Sequence, residues 1–462
     1  MVATGLAWLA LAPGVAAGGD GINGAPGLGD PFFPKAGNGG YEVERYRILL
    51  RYHRDGTIRA TTRIRAQADT DAGDPAAGPS LRRFNLDFRG PRVTRLTVAG
   101  AGAGFGRQGQ ELIVTPQQPL VDGGTFRVRV SYEGRPGQVT DPDGSKEGWT
   151  ATRDGAVALG EPLGSTSWFP SNNHPTDPAT FHTTVTTPLR LRGVSNGVPE
   201  PPRRHRRSVS RTWRQDEPMA TYLATIAIGR YRFDRARFGG QAGVPYLAAL
   251  DPRHGSLRAQ VRRRTRNAYD FLTGLLDGYP FTSVGAIVDP SPIGYALETQ
   301  TRPYYPAPPS QALVVHEISH QWFGNSVRLA AWDQIWLNEG FATYAEWLYT
   351  DAHGGPSAGS AFNDLYDEHG PGDTDFWNPP PGDPGEPAKL FDRTIYVRGA
   401  MALHALRLEV GDTNFFQILS EWSQTYADAS VTTADFIALA EAVSGEELSP
   451  LFDAWLYQPG KP

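Results

Sequence analysis

Tyr46, Ile48, Leu50 and Tyr52 alternate with Arg45, Arg47, Leu49 and Arg51, and a period of two sets one row of side chains on the core face of a strand and the other towards solvent. The same period returns at Leu96 and Val98, at Leu112 and Val114, and at Phe126, Val128 and Val130, with Gly, Asp and Pro between the runs. The pattern predicts an antiparallel β-domain over residues 41–230, closing on a strand at 222–228. Beyond Arg230 the period lengthens. Leu257, Val261, Ala268, Phe271, Leu272 and Leu275 fall at helical intervals, and a short apolar strand, Val284–Val288, follows. Further helices are predicted at 310–323, 334–353, 396–410, 414–426, 433–443 and 447–457. A β-rich part followed by a helix-rich part, 231–462, implies separate domains with a cleft between them, a common place for an active site.

Ahead of the first strand, residues 18–40 are crowded with Gly and Pro and lack periodicity, which reads as a flexible linker. Residues 1–17 are apolar and end in Val15-Ala16-Ala17, small residues of the kind signal peptidases cut, so export is expected. No Lys or Arg precedes that run, and a cytoplasmic location is the alternative. No other stretch approaches the ~20 apolar residues of a membrane span. A length of 462 residues exceeds one ordinary core, and 39% hydrophobic with 20% charged residues is the balance of a folded chain. The formal net charge of -5 offers no broad cationic field for nucleic acid, and the short run from Arg203 to Arg207 reads as a solvated turn. The chain has no cysteine, so disulfides and thiolate ligands are excluded and any metal must be held by His, Asp or Glu.

Those residue types meet at His316-Glu317-Ile318-Ser319-His320, preceded by the apolar run Ala312 to Val315 and so placed on a buried helix. Four residues advance a helix by ~400°, which projects His316 and His320 from one face towards a single ion. Glu317 stands beside that face, where a carboxylate acts on a metal-activated water without being a ligand. Catalytic zinc takes three protein ligands, and Glu339, within Trp336-Leu337-Asn338-Glu339-Gly340, is the candidate third. Glu346, on the same helical face as Glu339, is the candidate partner for His316 or His320, because a metal-bound imidazole usually donates its second nitrogen to a carboxylate or carbonyl. His174, His182, His369 and His404 lack metal-like spacing and read as structural or surface residues.

The segments HEISHQWFGNSV from His316 and WLNEGFA from Trp336 resemble the aminopeptidase-N family of gluzincins, whose histidine-to-glutamate spacing they share. Weaker similarity runs from Tyr41 through Trp168-Phe169-Pro170 to Phe452-Asp453-Ala454-Trp455. The resemblance implies a multidomain α+β fold, an N-terminal antiparallel β-sandwich saddle followed by a thermolysin-like catalytic domain holding one zinc ion. It also implies roles beyond the zinc motif. Tyr295-Ala296-Leu297-Glu298-Thr299 is similar to the Gly-Ala-Met-Glu-Asn segment that grips a substrate's amino terminus, with Glu298 at the matching position and Tyr295 and Thr299 departing from the pattern. Glu161, shortly before Trp168, resembles the second amine-binding residue, and Tyr396 resembles the tyrosine that faces the metal.

The reaction so implied begins with a peptide whose free amino terminus is clasped by Glu161 and Glu298. Its first carbonyl faces the zinc and Tyr396, and Glu317 carries a proton from the attacking water to the departing amine. An endopeptidase or epoxide hydrolase on the same scaffold is the near alternative, and a binding module without activity the remote one. Retention of both histidines, Glu317, Glu339 and Tyr396 argues against the latter.

Overall fold

The computed structural model describes residues 21–70, 80–240 and 243–462. The expected leader at 1–17 lies outside the described residues. Tyr41–Tyr52 pairs antiparallel with Ile58–Ala68, which pairs with Thr125–Gly134, and that with Arg92–Val98. These strands lie within a nine-stranded sheet. Tyr46, Ile48 and Leu50 are fully buried beneath it, with Phe181 stacked on Tyr46 and Phe169 meeting it edge-on. Ala179–Pro188 runs parallel to Tyr41–Tyr52, so the sheet is mixed and not purely antiparallel. The chain leaves this sheet after Gly134 to build a second one before returning, a crossover long enough to restore strand direction. That second sheet orders Gln138–Thr140, Lys146–Ala151, Ala156–Leu159, Ile226–Gly229 and Arg192–Ser195.

Residues 222–228 form a 3-10 turn, Thr221–Leu223, and only then the strand Ile226–Gly229. Two strands that periodicity missed, Arg232–Phe238 and Val244–Leu250, follow and join Val284–Val288 and Tyr304–Tyr305 in a four-stranded sheet. Residues 246–250 are buried consecutively, which erases the alternation that marks a half-exposed strand. Among the described residues eight helices then carry the rest: α1 (Arg258–Leu275), α2 (Gln311–Ser319), α3 (Trp336–Ala352), α4 (Ala358–Glu368), the single turn α5 (Thr374–Trp377), α6 (Arg393–Thr425), α7 (Thr433–Ser444) and the single turn α8 (Ser449–Phe452). The two helices expected at 396–410 and 414–426 are the two segments of α6, separated by a kink at Gly411, whose φ of 76° and ψ of 164° are not helical. The helix expected at 447–457 is one α turn, Ser449–Phe452, passing into a π turn.

The expected flexible linker at 18–40 is, over its described residues, packed structure. Ile22–Asn23 adds a strand beside Ser80–Asp87, and Phe33 and Ala36 are buried. Asp30 accepts from the backbone N–H of Trp332 at 2.8 Å, tying this segment to the turn that introduces α3. Gly and Pro supply the tight bends here, and side chains far along the chain supply the order.

Candidate active site

Ser310 starts α2 by accepting from the Leu313 N–H at 3.1 Å, and Val314, Val315 and Ile318 are fully buried. The helix is thus held from within while its other face carries the chemistry. The His316 and His320 rings stand 4.8 Å apart. Glu339, on the first turn of α3, places Oε2 3.2 Å from His316 Nε2 and 3.5 Å from His320 Nε2. The three ligand atoms lie within 4.8 Å of one another. His316 Nδ1 meets Glu346 Oε1 at 2.8 Å, and His320 Nδ1 meets the Phe323 carbonyl at 3.1 Å. Each Nδ1 is thus engaged by an outer acceptor, which leaves each Nε2 as the atom that would turn a lone pair to a metal beside the Glu339 carboxylate, the donor set that suits Zn2+.

Burial opposes charge on Glu339, but the two imidazoles outweigh it and hold its carboxylate down at about 2. Burial likewise opposes charge on His316, and Glu339 and Glu346 more than offset it, raising its pKa well above the ordinary histidine value. Glu317 is only 4% exposed, and burial drives it up to about 8 against the pull of the same imidazoles. Its Oε2 has no hydrogen-bond partner.

Tyr396 reaches the cluster because α3 and α6 cross at two glycines. A Cβ on Gly340 would stand 3.0 Å from the Gly399 carbonyl carbon, so a larger residue there would require the helices to give at their crossing. Tyr396, one turn before Gly399, stacks on His316 with 6.1 Å between rings and 18° between planes. Burial, then the surrounding carboxylates, raise its pKa well above the usual phenol value, so the hydroxyl keeps its proton.

Glu161 and Glu298 line the same cavity, about 530 Å³ in volume, with His316, Glu317, His320, Glu339 and Tyr396. They are 7% and 2% exposed, and the Oε1 of each lacks a partner. Burial and then the neighbouring Glu298 push Glu161 far above the carboxylate range, and burial raises Glu298 too. Sequence reasoning passed over what fixes Glu298. Gln321 and Asn325 donate to its carbonyl at 3.1 and 2.9 Å, and Gln321 also accepts from the Thr301 N–H at 2.7 Å. Arg302, fully buried, donates to the Ser195 and Gly197 carbonyls of the β-rich part at 2.5 and 3.0 Å and lies over Trp213. The signal was available: Gln321 and Asn325 flank the apolar pair Trp322-Phe323 just past the second histidine, in a segment expected to be buried, and buried polar groups need assigned partners.

Two histidines one helical turn apart and a glutamate from the next helix, on this β-then-α scaffold, make the three-donor arrangement of a gluzincin-type zinc site. Residues 307–455 match the peptidase family M1 domain. The chain is 29% identical to the M1 zinc metallopeptidase from Deinococcus radiodurans, whose crystal structure superposes with a TM-score of 0.83 over 94% of this chain and 98% of that one. A variant of the Deinococcus enzyme has been crystallised with a Tyr-Ser-Ala substrate. Aminopeptidase M1 of Arabidopsis thaliana is 27% identical over 336 residues, which are 66% of this chain and 37% of the plant protein. Tricorn protease-interacting factor F2 of Thermoplasma volcanium is 24% identical over 67% of this chain and 42% of its own length. The chain therefore spans well under half of these curated relatives. Its residues 307–455 match the M1 domain, and the chain is similar over most of its length to the M1 zinc metallopeptidase from Deinococcus radiodurans.

Proposed function

We propose that the protein is a zinc-dependent aminopeptidase that removes residues one at a time from the amino terminus of peptides. The observation that carries this reading is the pair of buried carboxylate oxygens, on Glu161 and Glu298, that lack any partner beside the metal cluster. Two buried like charges without counter-charge are costly, and a substrate ammonium offsets that cost where no neutral group would. Clasping the amine fixes the distance to the first carbonyl and leaves the later bonds out of register.

Zinc held by His316, His320 and Glu339 would polarise the scissile carbonyl and lower the pKa of water at the site. Glu317 is the general base, because a carboxyl whose proton affinity burial brings near neutrality both takes a proton from the attacking water and returns it to the leaving amine. Tyr396 donates its hydroxyl to the oxyanion that develops on the carbonyl. Glu346 keeps the His316 Nδ1 proton in place, and so keeps Nε2 facing the metal. The Deinococcus enzyme's peptide complex and the plant aminopeptidase support the substrate class.

The test is digestion of a defined decapeptide followed by mass spectrometry. A ladder of products shortened singly from the amino terminus, stopped by a chelator and restored by zinc, is expected. Internal fragments would instead identify an endopeptidase. Export is also inferred, from the apolar run at 1–17; recovery of the full-length chain only from the cytoplasm would refute it.

A further inference from the structure

A carboxylate beyond the catalytic set faces the same cavity. The hairpin strands Gln138–Thr140 and Lys146–Ala151 are joined by a turn whose Asp141, Asp143 and Ser145 line the cavity opposite Tyr295 and Phe391. Asp141 is 8% exposed. Its Oδ2 accepts from Ser145 Oγ at 3.3 Å, while its Oδ1 is buried with no partner. No Lys, Arg or His among the described residues forms an ion pair with it; the nearest in sequence, Lys146, is turned to Thr140 Oγ1.

Glu147 explains which of two neighbouring acids bears the charge. It is fully buried and accepts from the Leu163 N–H at 3.0 Å. Burial, and then Asp141 itself, raise its pKa far above the carboxylate range, so it keeps its proton and donates it to Asp141. Burial raises Asp141 as well, but the hydrogen bond from Glu147 holds that rise back, so of the two acids Asp141 is the one that gives up its proton first. The turn is also pinned from the far side of the cleft, where the Tyr295 hydroxyl donates to the Lys146 carbonyl at 3.1 Å.

Asp141 shares one cavity with the amine site, since Glu161 and Glu298 line it too. Thr140, next to Asp141, pairs with Lys146, and Gly148 on that same strand pairs with Leu159, where the strand leading to Glu161 ends. A substrate whose amine rests between Glu161 and Glu298 has its first side chain leaving from the neighbouring carbon. A long side chain ending in a cation would supply the partner that the buried Asp141 Oδ1 lacks.

We propose that Asp141 determines specificity, selecting peptides whose first residue is arginine or lysine, with Glu147 as the positioning residue that holds the charge on Asp141. The proposal rests on the aminopeptidase reading. It is tested with arginyl, citrullyl and leucyl coumarylamides on the zinc-loaded enzyme, because citrulline keeps the shape of arginine and removes its charge. The expected result is kcat/KM at least ~10-fold higher for arginine than for citrulline, the advantage of a charged over a neutral hydrogen-bond partner. Asp141→Asn should abolish that ratio while moving the leucyl substrate by less than ~3-fold, the insensitivity expected of a substrate without the charge. Glu147→Gln, whose amide donates where the carboxylic acid did, should retain the ratio. A wild-type ratio near one, or equal losses on arginyl and leucyl substrates in Asp141→Asn, would overturn the assignment of Asp141; loss of the ratio in Glu147→Gln would overturn the role of Glu147. Calorimetry of arginine amide against citrulline amide reads the same pocket without turnover. Tighter arginine amide binding that Asp141→Asn removes would uphold the subsite even if the catalytic reading failed, and equal binding would overturn it.

Discussion

The two ends of the cleft handle buried charge in opposite ways. At the metal end every imidazole nitrogen has an assigned partner: Nδ1 of His316 faces Glu346, Nδ1 of His320 faces the Phe323 carbonyl, and both Nε2 atoms face Glu339. At the amine end Glu161, Glu298 and Asp141 each leave an oxygen buried and unpartnered. A donor set with its outer hydrogen bonds already made is organised before the ion arrives, which supports tight and permanent binding. Carboxylates left without partners raise the energy of the empty site, favour proton uptake there, and are relieved in their charged form by a cationic visitor, which suits a ligand that must leave each cycle. The metal end is built from helices α2 and α3, while the amine end is assembled from the β-rich part and a loop bolted to it by Arg302.

Breaking the metal end should have the largest effect. Glu339→Ala removes one of three ligands, and metal analysis of the folded variant should find well under one equivalent of zinc with no measurable turnover. Glu317→Gln should keep the metal and the fold but lose roughly 10²–10⁴ in kcat, since the amide accepts no proton; steady-state kinetics with parallel metal analysis checks both halves. Tyr396→Phe should lower kcat by roughly 10²–10³ with little change in KM, because its hydrogen bond strengthens as charge develops. A defect confined to KM would make Tyr396 a packing or binding residue. Glu346→Gln should act more weakly, costing ~10–100-fold in zinc affinity in chelator competition. Unchanged affinity there would mean that the His316 contact is incidental.

The chain shows which of these parts can be read before folding. His316, His320, Glu339 and Glu346 stand at helical spacings, so local geometry alone brings each pair to a common face. Glu161 and Glu298 have no such local relation, and only family resemblance singled them out. Asp141 escaped altogether, since a hairpin turn rich in Asp and Gly reads as solvent-exposed until a second domain covers it. The same limit explains residues 21–40: nothing local announces that Asp30 will be held by a backbone N–H 302 residues away. The strand Val244–Leu250 was hidden because residues 246–250 are buried on both faces, which removes alternation.

The central claim is that the unpartnered carboxylates await a free amino terminus, and one comparison tests it most directly. A leucyl peptide and its N-acetyl counterpart differ only in the charge that Glu161 and Glu298 would meet. The account predicts cleavage of the first bond in the free peptide, and turnover of the acetylated one no higher than with chelator-treated enzyme. Comparable kcat/KM for the two peptides would contradict it.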